Sequence, residues 1–120
     1  MANPITWFEI MGDNAAALHS FYGGVFGWKM APPIAEMGNY SMVDNEHRGI
    51  GGGVGGGTGT GSEEKRVTIY IEVDDPQAYL DKAIAAGATL LMPVMTVTEG
   101  VTIAMFSDPA GNTMGLLKAN

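Results

Sequence analysis

Few residues in this sequence have the type and spacing to do chemistry. The most conspicuous stretch is "GIGGGVGGGTGTGS" at 49–62, where nine of the thirteen residues from Gly49 to Gly61 are glycine. It contains a GxGxxG match at Gly51, Gly53 and Gly56. A phosphate loop needs a strand, then glycines, then a helix whose N-terminus faces the phosphate. Here "EEKRVTIYIEV" follows, which reads as a strand, and no GK[ST] is present. The match is a by-product of glycine density. The two histidines, His19 and His47, have no paired-His or HExxH spacing. His19 falls within a helical pattern as a surface or edge-of-core residue, and His47 in a turn. Ser41, Ser62 and Ser107 lack a G-x-S-x-G elbow. Asp74-Asp75 reads as a strand end followed by a helix N-cap, and Asp108 as the first residue of a turn. Lys65-Arg66 is too short for a nucleic-acid patch. Glu9 is left as the carboxylate best placed to act, beside Trp7.

The elements that position these residues follow from periodicity. In "ITWFEIM", Phe8 and Ile10 share one face of a strand, and Trp7, Glu9 and Met11 the other. Asp13 or Asn14 caps a helix whose apolar residues Ala17, Leu18, Phe21, Tyr22, Val25 and Phe26 recur at helical spacing. Gly27 is its C-terminal cap, although Gly23-Gly24 weakens the last turn. "WKMA", "YSMV" and "IGGGVG" are strands. The second half repeats the plan: "VTIYIEV" alternates, Asp75-Pro76 opens a helix that stops at Gly87, and "ATLLMPVMTV", "VTIAMFS" and "TMGLLK" are strands. This is an internal duplication of roughly 55 residues. The expected organisation is one domain over 1–120, with module one at 1–57, module two at 62–120 and a glycine-rich seam at 55–62.

Each helix must cover one face of its sheet. The apolar faces of Phe8/Ile10 and Ile69/Ile71 belong under the helices. The opposite faces carry Trp7, Glu9, Thr68, Tyr70 and Glu72. That mixture suits the wall of a ligand cup, and equally a half-solvated antiparallel sheet.

The totals narrow the function classes. The chain has 120 residues, 46% of them hydrophobic, enough for one folded domain. It has no cysteine, which excludes disulfides and thiolate chemistry. Its formal charge of −7 makes nucleic acid and anionic membranes poor partners. No apolar run approaches the ~20 residues of a membrane span, and no signal peptide is visible, so a cytoplasmic location is expected.

The segments "WFEIMGDNAAALHSFYGGVFGW", "YIEVDDPQAYLDKAIAAGATLL" and "FSDPAGNTMGLL" resemble the vicinal oxygen chelate superfamily of glyoxalase I, bleomycin-resistance proteins and extradiol dioxygenases. The resemblance covers most of the chain. It implies an α+β fold of two βαβββ modules curled round a shared cup, commonly in a homodimer. It also implies a divalent metal held by His or Glu at equivalent strand positions. Those positions fall here on Trp7, Thr68, Gly115 and Gly51 or Gly52, none of which coordinates a metal well. The expectation is no metal and no cofactor.

The favoured reading is a metal-independent small-molecule-binding protein of the bleomycin-resistance type. Its ligand-binding residues would be Trp7, Glu9, Tyr40, Met42, Thr68, Tyr70, Met105 and Gly115. Aromatics would stack on an aromatic ligand, Glu9 would orient a cationic group, and Gly51, Gly52 and Gly115 would leave room. The alternative is a metal-free lyase or isomerase with Glu9 as its catalytic general base. A metal-dependent glyoxalase or dioxygenase fits less well. A structural role, with methionines filling the cup, is a further option.

Overall fold

A computed structural model describes residues 2–56 and 65–120. Ser62 and most of the glycine-rich seam lie outside the described residues. The fold is mixed α+β and divides into two compact units, Trp7–Val67 and Met1–Thr6 with Thr68–Asn120.

In the first unit, β1 (Ile5–Met11) leads to α1 (Ala15–Phe26), β2 (Lys29–Met30), a 3₁₀ turn (Ala35–Met37), β3 (Ser41–Asp44) and β4 (Gly51–Gly55). The sheet order is β2-β3-β4-β1. Strand β4 runs parallel to β1, pairing Trp7 with Gly51 and Glu9 with Gly53, and antiparallel to β3, pairing Ser41 with Val54. Asn14 is the residue that caps α1, its side chain accepting from the Ala17 amide at 3.0 Å. The Gly23-Gly24 pair does not end the helix. It runs to Phe26, and Gly27 closes it at φ 73°, a left-handed conformation that glycine adopts without a Cβ penalty. Ser41 and Val54 are completely buried. They share a sheet face with Ile10 through the register, and His19 of α1 donates its Nε2–H to the Val54 carbonyl at 2.8 Å. The helix is also tied in by rings: Tyr22 stacks on Trp28 at 5.1 Å, and Trp28 meets Phe8 at 5.4 Å.

Two positions in this unit give sharp stability predictions. An added Cβ on Gly24 meets nothing within 4 Å. Gly24→Ala should therefore raise stability by about 0.5–1 kcal/mol through helix propensity, read by denaturant melts. The Ser41 hydroxyl is buried without a hydrogen-bond partner. Ser41→Ala removes an unsatisfied polar group, so it should be neutral or stabilising by up to about 1 kcal/mol in the same assay.

In the second unit, β5 (Arg66–Val73) leads to α2 (Pro76–Ala85), then β6 (Thr89–Thr98), β7 (Val101–Ser107) and β8 (Thr113–Lys118). From Thr68 onward β5 belongs to this unit. The sheet order is β5-β8-β7-β6, with β5 and β8 parallel and the remaining pairs antiparallel. Asp75 caps α2 through the Ala78 amide, and Pro76 occupies its first turn. Leu80 of α2 packs with Val73, Ala104 and Leu116, flanked by Ile71 and Phe106. The helix thus covers the Ile71 face, as the alternation requires. Asp108 holds the turn before β8, accepting from the Ala110 and Asn112 amides and the Asn112 side chain. These bonds, the Asn112 side chain first, hold its carboxyl below the ordinary value.

Candidate functional site

On the first unit's face away from α1, alternation places Trp7, Glu9 and Met11 beside Gly51, Gly53 and Gly55 of β4. Tyr40, directly before β3, and Met42 within it come next, Met42 pairing with Gly53. These side chains form a connected chain of polar contacts. The Trp7 Nε1–H donates to the Tyr40 hydroxyl at 3.0 Å. That hydroxyl is in turn hydrogen-bonded to Glu9. Glu9 Oε1 receives the Arg66 Nη1–H at 3.0 Å, in an ion pair that is mostly buried.

Arg66 is the residue that the sequence reading missed, because that reading began the strand at Val67. Extending the alternation Tyr70, Thr68 by one more step reaches Arg66. The consequence for Glu9 is direct. Its charge is already balanced by a guanidinium within the same unit. A ligand on this face would meet Glu9 as a carboxylate already paired with Arg66.

Tyr40 is 6% exposed. Burial pushes its phenol well above the ordinary value, and the Glu9 carboxylate pushes in the same direction. A raised folded-state value favours the neutral phenol. The stability it contributes is complete below the unfolded value of about 10 and is lost as pH rises beyond it. Wild type should therefore lose stability above pH ~10 more steeply than Tyr40→Phe, measured as denaturation midpoints across alkaline pH.

The glycines opposite these residues do not leave room for a ligand. A Cβ built on Gly53 would fall 2.1 Å from the Tyr40 ring, and one on Gly51 2.9 Å from the Trp7 ring. On the helix-bearing face, a Cβ on Gly52 would fall 2.1 Å from the Phe8 ring. The space that each missing side chain vacates is filled by an aromatic ring of the same chain. The parallel register also settles which glycine matters. Trp7 pairs with Gly51 and Glu9 with Gly53, while Tyr70 pairs with Gly115. Aligning Trp7 with Thr68 makes Glu9 the counterpart of Tyr70, so the counterpart of Gly115 is Gly53, not Gly51 or Gly52.

The second unit repeats the device by itself. Tyr70 lies over Gly115, where a Cβ would meet its ring at 2.3 Å. The Tyr70 hydroxyl points to the Met105 sulfur at 3.9 Å. The structure thus brings Tyr70, Met105 and Gly115 together. Thr68 and Tyr70, at 1% and 2% exposed, are packed rather than open. Met42 of the first unit, by contrast, is 46% exposed, and Trp7 is half-buried.

In this register, the strand positions to which the resemblance assigns metal ligands are Trp7, Gly53, Thr68 and Gly115. An indole, a hydroxyl and two hydrogen atoms make a poor donor set. At Gly53 and Gly115 a ligating side chain would collide with a tyrosine ring. Among the described residues, no group of three or more His, Asp or Glu side chains is arranged to hold a metal ion. The residues present do not fit the metal.

Residues 9–117 match the family described as the glyoxalase-like domain. The chain belongs to that family. It is 28% identical over 119 residues to a putative glyoxylase, CFP32, of Mycobacterium tuberculosis (strain CDC 1551 / Oshkosh), covering 95% of this chain and 45% of the relative. It thus spans about half the length of the curated relatives it matches. Its fold is similar to that of a glyoxalase/bleomycin resistance protein/dioxygenase superfamily member from Vibrio splendidus 12B01. That match has a TM-score of 0.65 at 14% identity and covers 98% of this chain and 99% of the other. It is also similar to methylmalonyl-CoA epimerase from Mycobacterium tuberculosis, with a TM-score of 0.72 at 11% identity, covering 99% of this chain and 89% of the other. Identities this low establish the shared glyoxalase-type fold and nothing of the chemistry.

Proposed function

We propose that this glyoxalase-family chain binds a small planar molecule without a metal. The observation that carries the reading is the replacement of the ligand positions by rings seated on glycine, beside a carboxylate that Arg66 and Tyr40 already engage. On the first unit's face Met42 is exposed and Trp7 half-buried. Beside them, Tyr40 contacts Glu9, whose charge Arg66 offsets. Such a surface favours an aromatic or otherwise flat, largely uncharged ligand, held by stacking and sulfur contact. In the second unit the equivalent face carries Thr68, Tyr70, Met105 and Gly115. The reading includes a cytoplasmic protein with neither nucleic-acid nor membrane partners. No helix among the described residues is long and apolar enough to cross a membrane.

A thermal-shift screen of planar aromatic molecules tests the proposal. Hits should persist in excess EDTA and be lost in Trp7→Ala. Hits that vanish with EDTA, or that survive Trp7→Ala, would count against it. Glu9 as the general base of a lyase or isomerase is less well supported, because its carboxylate is already engaged.

Self-association as a homodimer belongs to the same proposal. Strand β6 lies at the end of its unit's sheet order, and Leu90, Leu91, Met95 and Val97 along it are exposed. An apolar strand edge of this kind is normally covered. Sedimentation velocity should show a dimer that Leu91→Glu dissociates. A monomeric wild type would remove this part of the reading.

A further inference from the structure

The helix-bearing face of the first unit holds a recess of its own. Phe8, Trp28, Val43, Asn45, Arg48 and Ile50 line an open cavity of about 260 Å³. Its floor is aromatic. The Phe8 ring is seated over Gly52 and meets Trp28, which Tyr22 backs by stacking. Val43 pairs with Gly52 and stands on the same face as Phe8. The rim is a closed turn. The Asn45 side chain donates to the Ile50 carbonyl at 2.7 Å, and the Arg48 amide donates to the Asn45 carbonyl at 3.1 Å. Arg48 is exposed at this rim.

The nearby carboxylates are engaged elsewhere. Glu46 pairs with Lys29 at 3.4 Å, and Asp44 accepts the Glu46 amide at 2.9 Å. Among the described residues Arg48 makes no ion pair. The recess therefore combines two aromatic walls, aliphatic sides and one available guanidinium.

We propose that this recess is a second small-molecule site, which takes a monocyclic aromatic carboxylate. The ring would lie against Phe8 and Trp28, and the carboxylate would meet the fork of Arg48. The volume admits one ring rather than a nucleotide. A single cation in a chain of formal charge −7 favours a monoanion over a polyphosphate. Phe8 and Val43 alternate with Trp7, Glu9 and Met42, so this site and the Trp7 face lie on opposite sides of the sheet and do not depend on each other.

The test is an NMR titration of the ¹⁵N-labelled full chain with phenylacetate. Phenylacetamide serves as the neutral molecule of the same shape. Phenylacetate should shift the Trp28 indole N–H and the Val43 and Ile50 amides saturably, leaving the Trp7 indole unmoved. Phenylacetamide on wild type, and phenylacetate on Arg48→Gln, should each bind roughly tenfold more weakly, the loss expected for one charge-assisted contact. Ile50→Trp, at an exposed rim position, should block the recess. The proposal is overturned if millimolar phenylacetate produces no saturable shift, or if Trp7 responds as strongly as Trp28. Equal affinity of Arg48→Gln or of phenylacetamide overturns it as well.

Discussion

Gly53→Ala is expected to destabilise the protein by about 2–3 kcal/mol, the upper part of the range for overpacking a buried site. The new Cβ would fall 2.1 Å from the Tyr40 ring, well inside contact distance. The ring has little freedom to retreat. It is buried, and its hydroxyl is held by Trp7 and Glu9. Moving it breaks those contacts, so the cost exceeds that of one misplaced methyl group. Tyr40→Ala alone should also destabilise, by leaving a cavity. The double variant Tyr40→Ala/Gly53→Ala should cost clearly less than the sum of the two, because the methyl then enters vacated space. Urea melts of the four proteins read this directly. If Gly53→Ala is as stable as wild type, or if the two changes add, the ring is not seated on Gly53. Gly24→Ala is the matched control, a glycine with open space around it.

The second large effect concerns Arg66. Arg66→Met should cost about 2 kcal/mol, below the cost of breaking a fully buried pair because both groups keep some exposure. The methionine stem replaces the packing but leaves Glu9 without its guanidinium. Glu9→Gln should cost less, since the amide keeps hydrogen-bonding capacity toward Tyr40. In the double variant Arg66→Met/Glu9→Gln, most of the Arg66→Met loss should be recovered, because no uncompensated charge remains. An Arg66→Met protein that melts like wild type would show that the ion pair is marginal. The view of Glu9 as an internally balanced group would then fall.

Much of this fold was legible in the sequence because local rules and tertiary packing agree. Asn14 and Asp75 are cap residues that do cap, and Gly27 takes the left-handed conformation expected of it. The alternation in β1 and β5 placed the Phe8/Ile10 and Ile69/Ile71 faces under the helices, and Ile71 does pack against the core that α2 covers. The candidate site was harder to read. Glycine declares only that a side chain is missing. Whether a ligand or the chain's own ring takes the space depends on register, and register joins residues far apart in sequence. Tyr40 reaches Gly53 from the position just before β3, and Arg66 reaches Glu9 across 57 positions. Neither pairing leaves a local pattern. The same gap explains why Gly51 and Gly52 were expected as the metal-position counterparts when the ladder assigns Gly53.

Metal-independent binding is the centre of this account, and metal content tests it most directly. The protein should be incubated with Zn²⁺, Mn²⁺, Ni²⁺ and Fe²⁺, desalted, and analysed for bound metal by mass spectrometry. The expected result is a ratio far below one metal ion per chain for each of them, with no shift in melting temperature. One tightly held ion per chain, accompanied by thermal stabilisation, would contradict the account. It would mean that donors other than Trp7, Gly53, Thr68 and Gly115 form a metal centre.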